Sequence, residues 1–111
     1  MSLIDKLKKS RQSNIDVNGH KFTITRPTDY DALVISRDSI NMLDVVKQFT
    51  VDWDLSELEI IPGGSGDQIP FDTELFAEWV SDQPAIWEPL ANAIIAAYKA
   101  HTERRESTAK N

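Results

Sequence analysis

Ile15-Asp16-Val17-Asn18-Gly19-His20-Lys21-Phe22-Thr23-Ile24-Thr25 is the stretch on which the fold turns. Apolar and polar residues alternate on either side of an Asn-Gly pair. Asn-Gly is the preferred centre of a two-residue type I′ hairpin, because both positions need positive φ. With the turn at 18–19, Ile15, Val17, Phe22 and Ile24 share one buried face. A lone hairpin is barely stable in water, so this one must pack on helices or extend a sheet, and its outer strands leave an edge open to self-association.

Upstream, Ser2 to Arg11 spells a short helix. Ser2 is an N-cap with Asp5 three residues on, Leu3, Ile4 and Leu7 form an apolar face, and Lys6, Lys8, Lys9 and Arg11 lie opposite or after it. A helix this short needs a partner surface or frays. Downstream, Pro27 ends the second strand and Thr28 reads as an N-cap, with Asp29 and Asp31 in the first turn, where the helix dipole favours carboxylates. Helical spacing runs through Tyr30, Leu33 and Val34. It resumes, after a cap at Asp38 or Ser39, through Ile40, Leu43, Val45 and Val46 to Phe49. One bent helix and two short ones fit equally. Thr50-Val51-Asp52-Trp53-Asp54-Leu55 reads as a short extended piece or a helix end, and Ser56-Glu57-Leu58 has no clear pattern.

Pro62-Gly63-Gly64-Ser65-Gly66-Asp67 is a loop, holding three of the four glycines. Ile69, Pro70 and Phe71 re-enter the core, and Asp72 caps a helix over residues 73–80. Pro84 suits the first turn of a last helix. Pro89 either kinks that helix or marks its true start. Beyond it Ile86, Leu90, Ile94, Ala97, Tyr98 and His101 form a stripe that Trp87, Ala91 and Ile95 widen. The expected architecture is a single domain over 1–111, α+β and mainly α: an N-terminal β-hairpin followed by about four helices. Its core spans roughly 14–102, with a basic helix at 2–11 and a flexible polar tail at 103–111.

Composition narrows function. The chain has 111 residues, 41% of them hydrophobic, which suffices for one modest core. It has no cysteine, hence no disulfide framework, thiolate metal site or cysteine nucleophile. No apolar run is long enough to span a membrane, and the charged N-terminus lacks a signal-peptide pattern, so a cytosolic protein is the expectation. The net charge of −6 is uneven. Residues 1–26 hold six basic and two acidic side chains, residues 27–98 two and fourteen, and residues 99–111 four and two. An acidic body therefore carries basic ends. Such a body does not suit nucleic acid, whose affinity comes mainly from phosphate neutralisation, but does suit a basic partner, while the basic ends suit an acidic one.

Catalytic chemistry is not legible. His20 follows the turn and reads as solvated; His101 reads as the end of a helix, where its cation suits the dipole. Neither has a nucleophile beside it in sequence. Asp52, Asp54, Glu57 and Glu59 miss the calcium-loop template: the sixth position is Glu57 where glycine belongs, and the twelfth is Gly63 where glutamate belongs. The segment 63–66 lacks the Gly-Lys-Ser/Thr ending of a phosphate loop. No cofactor, metal or enzymatic activity is expected. The aromatics carry more information: Trp53, Trp79 and Trp87, with Phe71 and Phe76, fall within 35 residues. They are either core or partner anchors.

Val51-Asp52-Trp53-Asp54, the glycine-rich loop, Ile69-Pro70-Phe71-Asp72 heading a helix, a short helix ending at Asp82-Gln83-Pro84 and a long alanine-rich helix together form a pattern. Over residues 15–100 it resembles the small tail assembly chaperones of long-tailed, siphovirus-like bacteriophages. The N-terminal Lys-rich helix is outside the resemblance. The resemblance implies a non-catalytic protein of the host bacterial cytoplasm that binds the helical, aggregation-prone tape measure protein, keeps it soluble and helps recruit tail tube subunits. Many such proteins also have a longer, frameshifted form. Lys110-Asn111 can be encoded by AAA-AAC, which after an A-ending codon for Ala109 makes a slippery run, so slippage is expected here. A face that captures an apolar helix needs apolar anchors and soluble rims. The candidates are Trp53, Phe71, Leu75, Trp79 and Trp87, rimmed by Asp52, Asp54, Asp72, Glu78 and Asp82. Two other readings fit the same arithmetic. One is a phage or prophage structural component, such as a head–tail connector or tail subunit, although a single hairpin argues against a tube protein. The other is a small acidic adaptor or antitoxin-like regulator that masks a basic surface.

Overall fold

The computed structural model describes residues 2–110. Its chain order is α1 (Leu3–Ser10), β1 (Gln12–Val17), β2 (His20–Thr25), α2 (Asp29–Asp38), α3 (Met42–Phe49), β3 (Thr50–Asp54), α4 (Glu57–Ile60), α5 (Thr73–Val80) and α6 (Pro84–Lys110). The fold is α+β and mostly helical. The expected hairpin is the first two-thirds of a three-stranded antiparallel sheet, ordered β1-β2-β3, and five helices follow the hairpin rather than four.

The hairpin forms as its sequence dictates. Asn18 and Gly19 both have positive φ, 54° and 86°, and the Asp16 carboxylate accepts from the Gly19 amide at 2.9 Å. Ile15 pairs with Phe22 and Val17 with His20. Val17, Phe22 and Ile24 are buried, and Ile15 is half-buried on the same face. β3 joins the outer side of β2, with Phe22 opposite Trp53 and a register shift between Thr23 and Ile24.

Caps set the helices. Ser2 accepts from the Asp5 amide, and Thr28 and Asp31 close a reciprocal capping box at the start of α2. The run 29–49 is two helices, and neither Asp38 nor Ser39 caps the second. Ser39 takes the left-handed conformation (φ 52°) that ends α2, and Asn41 caps α3 by accepting from the Asp44 amide at 2.9 Å. Asp72 caps α5 as expected.

α6 packs on α3 and across β1, and α5 packs against α3 and α6, so these helices cover one face of the sheet. The core joins Phe22, Ile24, Val46, Leu55, Phe76, Val80, Leu90 and Ile94, each nearly or fully closed to solvent. Pro89 lies inside α6 without ending it. It forgoes one hydrogen bond, to the carbonyl of Ala85, and both residues are exposed, so water can satisfy that carbonyl. The polar residues 103–110, expected as a flexible tail, continue α6; Asn111, the last residue of the Lys110-Asn111 pair, and Met1 lie outside the described residues. His101 is accordingly within a helix and not at its end. Ile95, expected in the apolar stripe, is 46% exposed. No helix among the described residues is long and apolar enough to cross a membrane.

Candidate protein-binding surfaces

The expected anchors divide by depth. Trp53 and Trp79 are buried in one aromatic cluster with Phe22 and Phe76, Trp53 standing edge-on to Trp79 at 6.1 Å and to Phe76 at 6.0 Å. The Trp53 indole N–H donates to the Ile69 carbonyl at 2.8 Å, so its one polar group is also spent inside the fold. These two tryptophans belong to the core, the first of the two readings open for them. Phe71, Leu75 and Trp87 are half-buried against that core, and the Trp87 indole donates to the Val80 carbonyl at 2.6 Å, pinning the start of α6 to the end of α5. The acidic rim does not assemble either. Asp72 is occupied as a helix cap, Glu78 and Asp82 are exposed on and after α5, and Asp52 and Asp54 sit elsewhere, on the outer sheet face.

The two histidines are more constrained than their sequence context suggests. His20 is not simply solvated. Its Nδ1 lies 2.7 Å from a Glu59 carboxylate oxygen, and its ring stands edge-on to Trp79 at 6.0 Å. The other Glu59 oxygen accepts from the Ser56 amide at 3.1 Å. The His20 contact, chiefly, holds the Glu59 carboxyl below its ordinary value. His101 is held below its ordinary value by partial burial first, then by Arg26 and Arg105. No group of three or more metal-binding side chains converges among the described residues.

Among the described residues, two exposed surfaces bear on binding. The first is the outer face of the sheet, which the core-forming helices leave uncovered. Asn14 and Asp16 of β1, Lys21 and Thr23 of β2, and Asp52 and Asp54 of β3 line a depression of about 440 Å³ there. Lys21 stands between Asp16 and Asp54 in register, and the Thr23 hydroxyl, opposite Asn14 and Asp52, donates to the Asn14 side chain at 2.9 Å. The second is α1, all of whose residues are exposed, Leu3 at 83%, Ile4 at 60% and Leu7 at 52%. The sequence shows α1 as an amphipathic helix in need of a partner surface, and that signal marks Leu3, Ile4 and Leu7 as binding candidates beyond the aromatic and acidic ones. The outer-face role of Asp16 and Lys21 is readable from period-two alternation once the turn is fixed.

No known protein family, curated protein or solved structure matches the chain.

Proposed function

We propose that this chain is a tail assembly chaperone of a long-tailed bacteriophage. It acts without catalysis in the host cytoplasm, binding the tape measure protein, keeping it soluble and helping to recruit tail tube subunits. The resemblance over residues 15–100 suggests the family. The observation that carries a binding role is α1: an amphipathic helix whose apolar residues Leu3, Ile4 and Leu7 are all more than half exposed and take no part in the core. An eight-residue helix is not stable alone, and exposed contiguous apolar groups mark interaction sites. An apolar helix of the tape measure protein supplies the missing face.

Co-expression with the tape measure protein encoded beside it tests the reading. The expected result is a soluble complex that co-purifies. Leu3→Asp with Leu7→Asp should abolish capture while leaving the melting temperature of the chain nearly unchanged, since neither side chain belongs to the core. A tape measure protein equally insoluble with and without the chain overturns the reading. The acidic outer sheet face supports a second one, a small adaptor that covers a basic partner. Capture of a basic neighbour instead, at low salt, selects it.

A further inference from the structure

The two basic ends of the chain, which the acidic body separates in sequence, meet at one corner of the fold. The Arg26 amide donates to the Arg11 carbonyl at 2.9 Å at the open end of the hairpin. Arg11 and Arg26 flank the Gln12–Thr25 pair, so alternation puts both on the face of the sheet that α6 crosses. α6 brings Arg104 and Arg105 to the same corner, where Asp29 accepts from the Tyr98 hydroxyl at 2.9 Å and pairs with Arg105. The Arg26 guanidinium lies in the fields of both Arg11 and Arg104. Lys8, in the last turn of α1, lines a depression with Arg11, Arg26, Thr28 and Asp31.

Both carboxylates of this corner are engaged, Asp29 with Arg105 and Tyr98, Asp31 in the α2 capping box. Lys8, Arg11, Arg26 and Arg104 have no carboxylate within ion-pair distance among the described residues. Like charges gathered without partners repel one another, and an anionic ligand relieves them. Two features select the anion. Ile4 and Lys8, and Leu7 and Arg11, are four apart, so the exposed apolar stripe of α1 runs into the corner. A ligand that covers both carries apolar groups beside its carboxylates, as an amphipathic helix does. Residues 27–98, with fourteen acidic and two basic side chains, repel a long phosphate backbone but not a short segment that ends within the corner.

We propose that this corner binds an acidic amphipathic helix of a partner protein, its apolar stripe on Leu3, Ile4 and Leu7 and its carboxylates on Arg11, Arg26 and Arg104. The planar fork of arginine takes a carboxylate through two parallel hydrogen bonds. The inference rests on the binding role of α1 in the reading above and adds the chemistry of the segment captured: the tape measure helix carries carboxylates beside its apolar stripe.

Fluorescence anisotropy on the full chain tests this with a labelled synthetic helix of about 18 residues, leucines along one face and glutamates on both flanks. Binding is expected at about 0.1 M salt and should weaken at least tenfold at about 1 M, where the Debye length falls to ~3 Å. The same peptide with lysine for every glutamate should bind at least tenfold more weakly, a comparison that needs no variant of the chain. Arg11→Glu with Arg104→Glu should weaken the acidic helix at least tenfold with an unchanged circular dichroism spectrum. Lys21→Glu with Arg37→Glu makes the same change of net charge at exposed positions away from the corner, and should weaken it by less than about threefold. An unlabelled oligodeoxythymidine of equal charge should not displace the helix. An acidic helix that does not bind, a lysine peptide that binds as well, two double variants with equal effect, or displacement by the oligonucleotide overturns the proposal. Acidic-helix binding without capture of the tape measure protein would sink the phage reading and leave this site standing; capture without the charge preference would do the reverse.

Discussion

Thr50 is 3% exposed, and its hydroxyl is the one buried side-chain polar atom among the described residues without a hydrogen-bond partner. It sits where α3 hands over to β3 and pairs with Ile24 across the register shift. A hydroxyl buried without a partner costs about 1–3 kcal/mol. Valine keeps the β-branched shape that a strand accepts and removes the oxygen. Thr50→Val is therefore expected to raise unfolding free energy by about 1 kcal/mol, seen as a higher urea midpoint at constant slope. An unchanged or lower midpoint would mean the hydroxyl is satisfied, for instance by a trapped water. The tryptophans show the limit of sequence reading at this scale. Trp53 and Trp87 are the same residue type in similar apolar company, yet one is core and the other half-exposed. Only tertiary packing, here Phe71, Phe76 and Trp79 closing around Trp53, decides which.

Elements with local signals were legible and those defined by their neighbours were not. The Asn18-Gly19 turn, the Ser2, Thr28 and Asp72 caps and the extent of α5 all rest on contacts within a few residues. β3 does not: the inward residues are Thr50, Trp53 and Leu55, and Val51 falls at the register shift, so strict alternation is lost and the strand is recognisable only once β2 is beside it. The end of α6 was missed for a different reason. A polar run reads as disorder, but extending an already nucleated helix costs far less than starting one. A tie also reaches into the run: Asp29 at the start of α2 accepts from the Tyr98 hydroxyl at 2.9 Å and pairs with Arg105. Since residues 103–108 are all exposed, this end of α6 should open independently of the core. Hydrogen exchange is expected to show protection falling steeply beyond Arg105 while amides 90–98 exchange only through global unfolding. Arg105→Ala should move that boundary back towards His101 and, because the pair is exposed, lower the melting temperature only slightly. Uniform protection along α6 would count against the tie as the limiting contact.

At the scale of the whole molecule, the radius of gyration is 15.4 Å and the long axis 55 Å, against about 13 Å expected for the radius of a compact chain of this length. The excess fits a 27-residue α6, about 40 Å long, whose exposed polar end makes little core contact. That helix also returns the basic C-terminal end to the basic N-terminal one: the guanidinium of Arg26 is held below its ordinary value first by burial, then by Arg11 and Arg104. The consequence is an asymmetric response to acid. His101 is held below 6.5 by burial and its arginine neighbours, Glu59 below 4.5 mainly by His20, and Asp29 below 3.8 mainly by Arg105. For each group the folded state resists protonation more than the unfolded chain does. Each contribution is therefore complete above the ordinary value and is lost as pH falls through the lowered one. The urea midpoint should thus be flat above about pH 7, fall first as His101 begins to bind a proton in the unfolded chain, and fall again below about pH 4.5 as Glu59 and then Asp29 follow. His101→Gln should remove the first decline and leave the second. Glu59→Gln with Asp29→Asn should flatten the second, and lower the midpoint at neutral pH because the carboxylate contacts are gone. A midpoint that rises between pH 7 and pH 5.5 in the unaltered chain would reverse the sign assigned to His101. It would mean that the carboxylate of Asp29, and not the arginines around it, governs that end of α6.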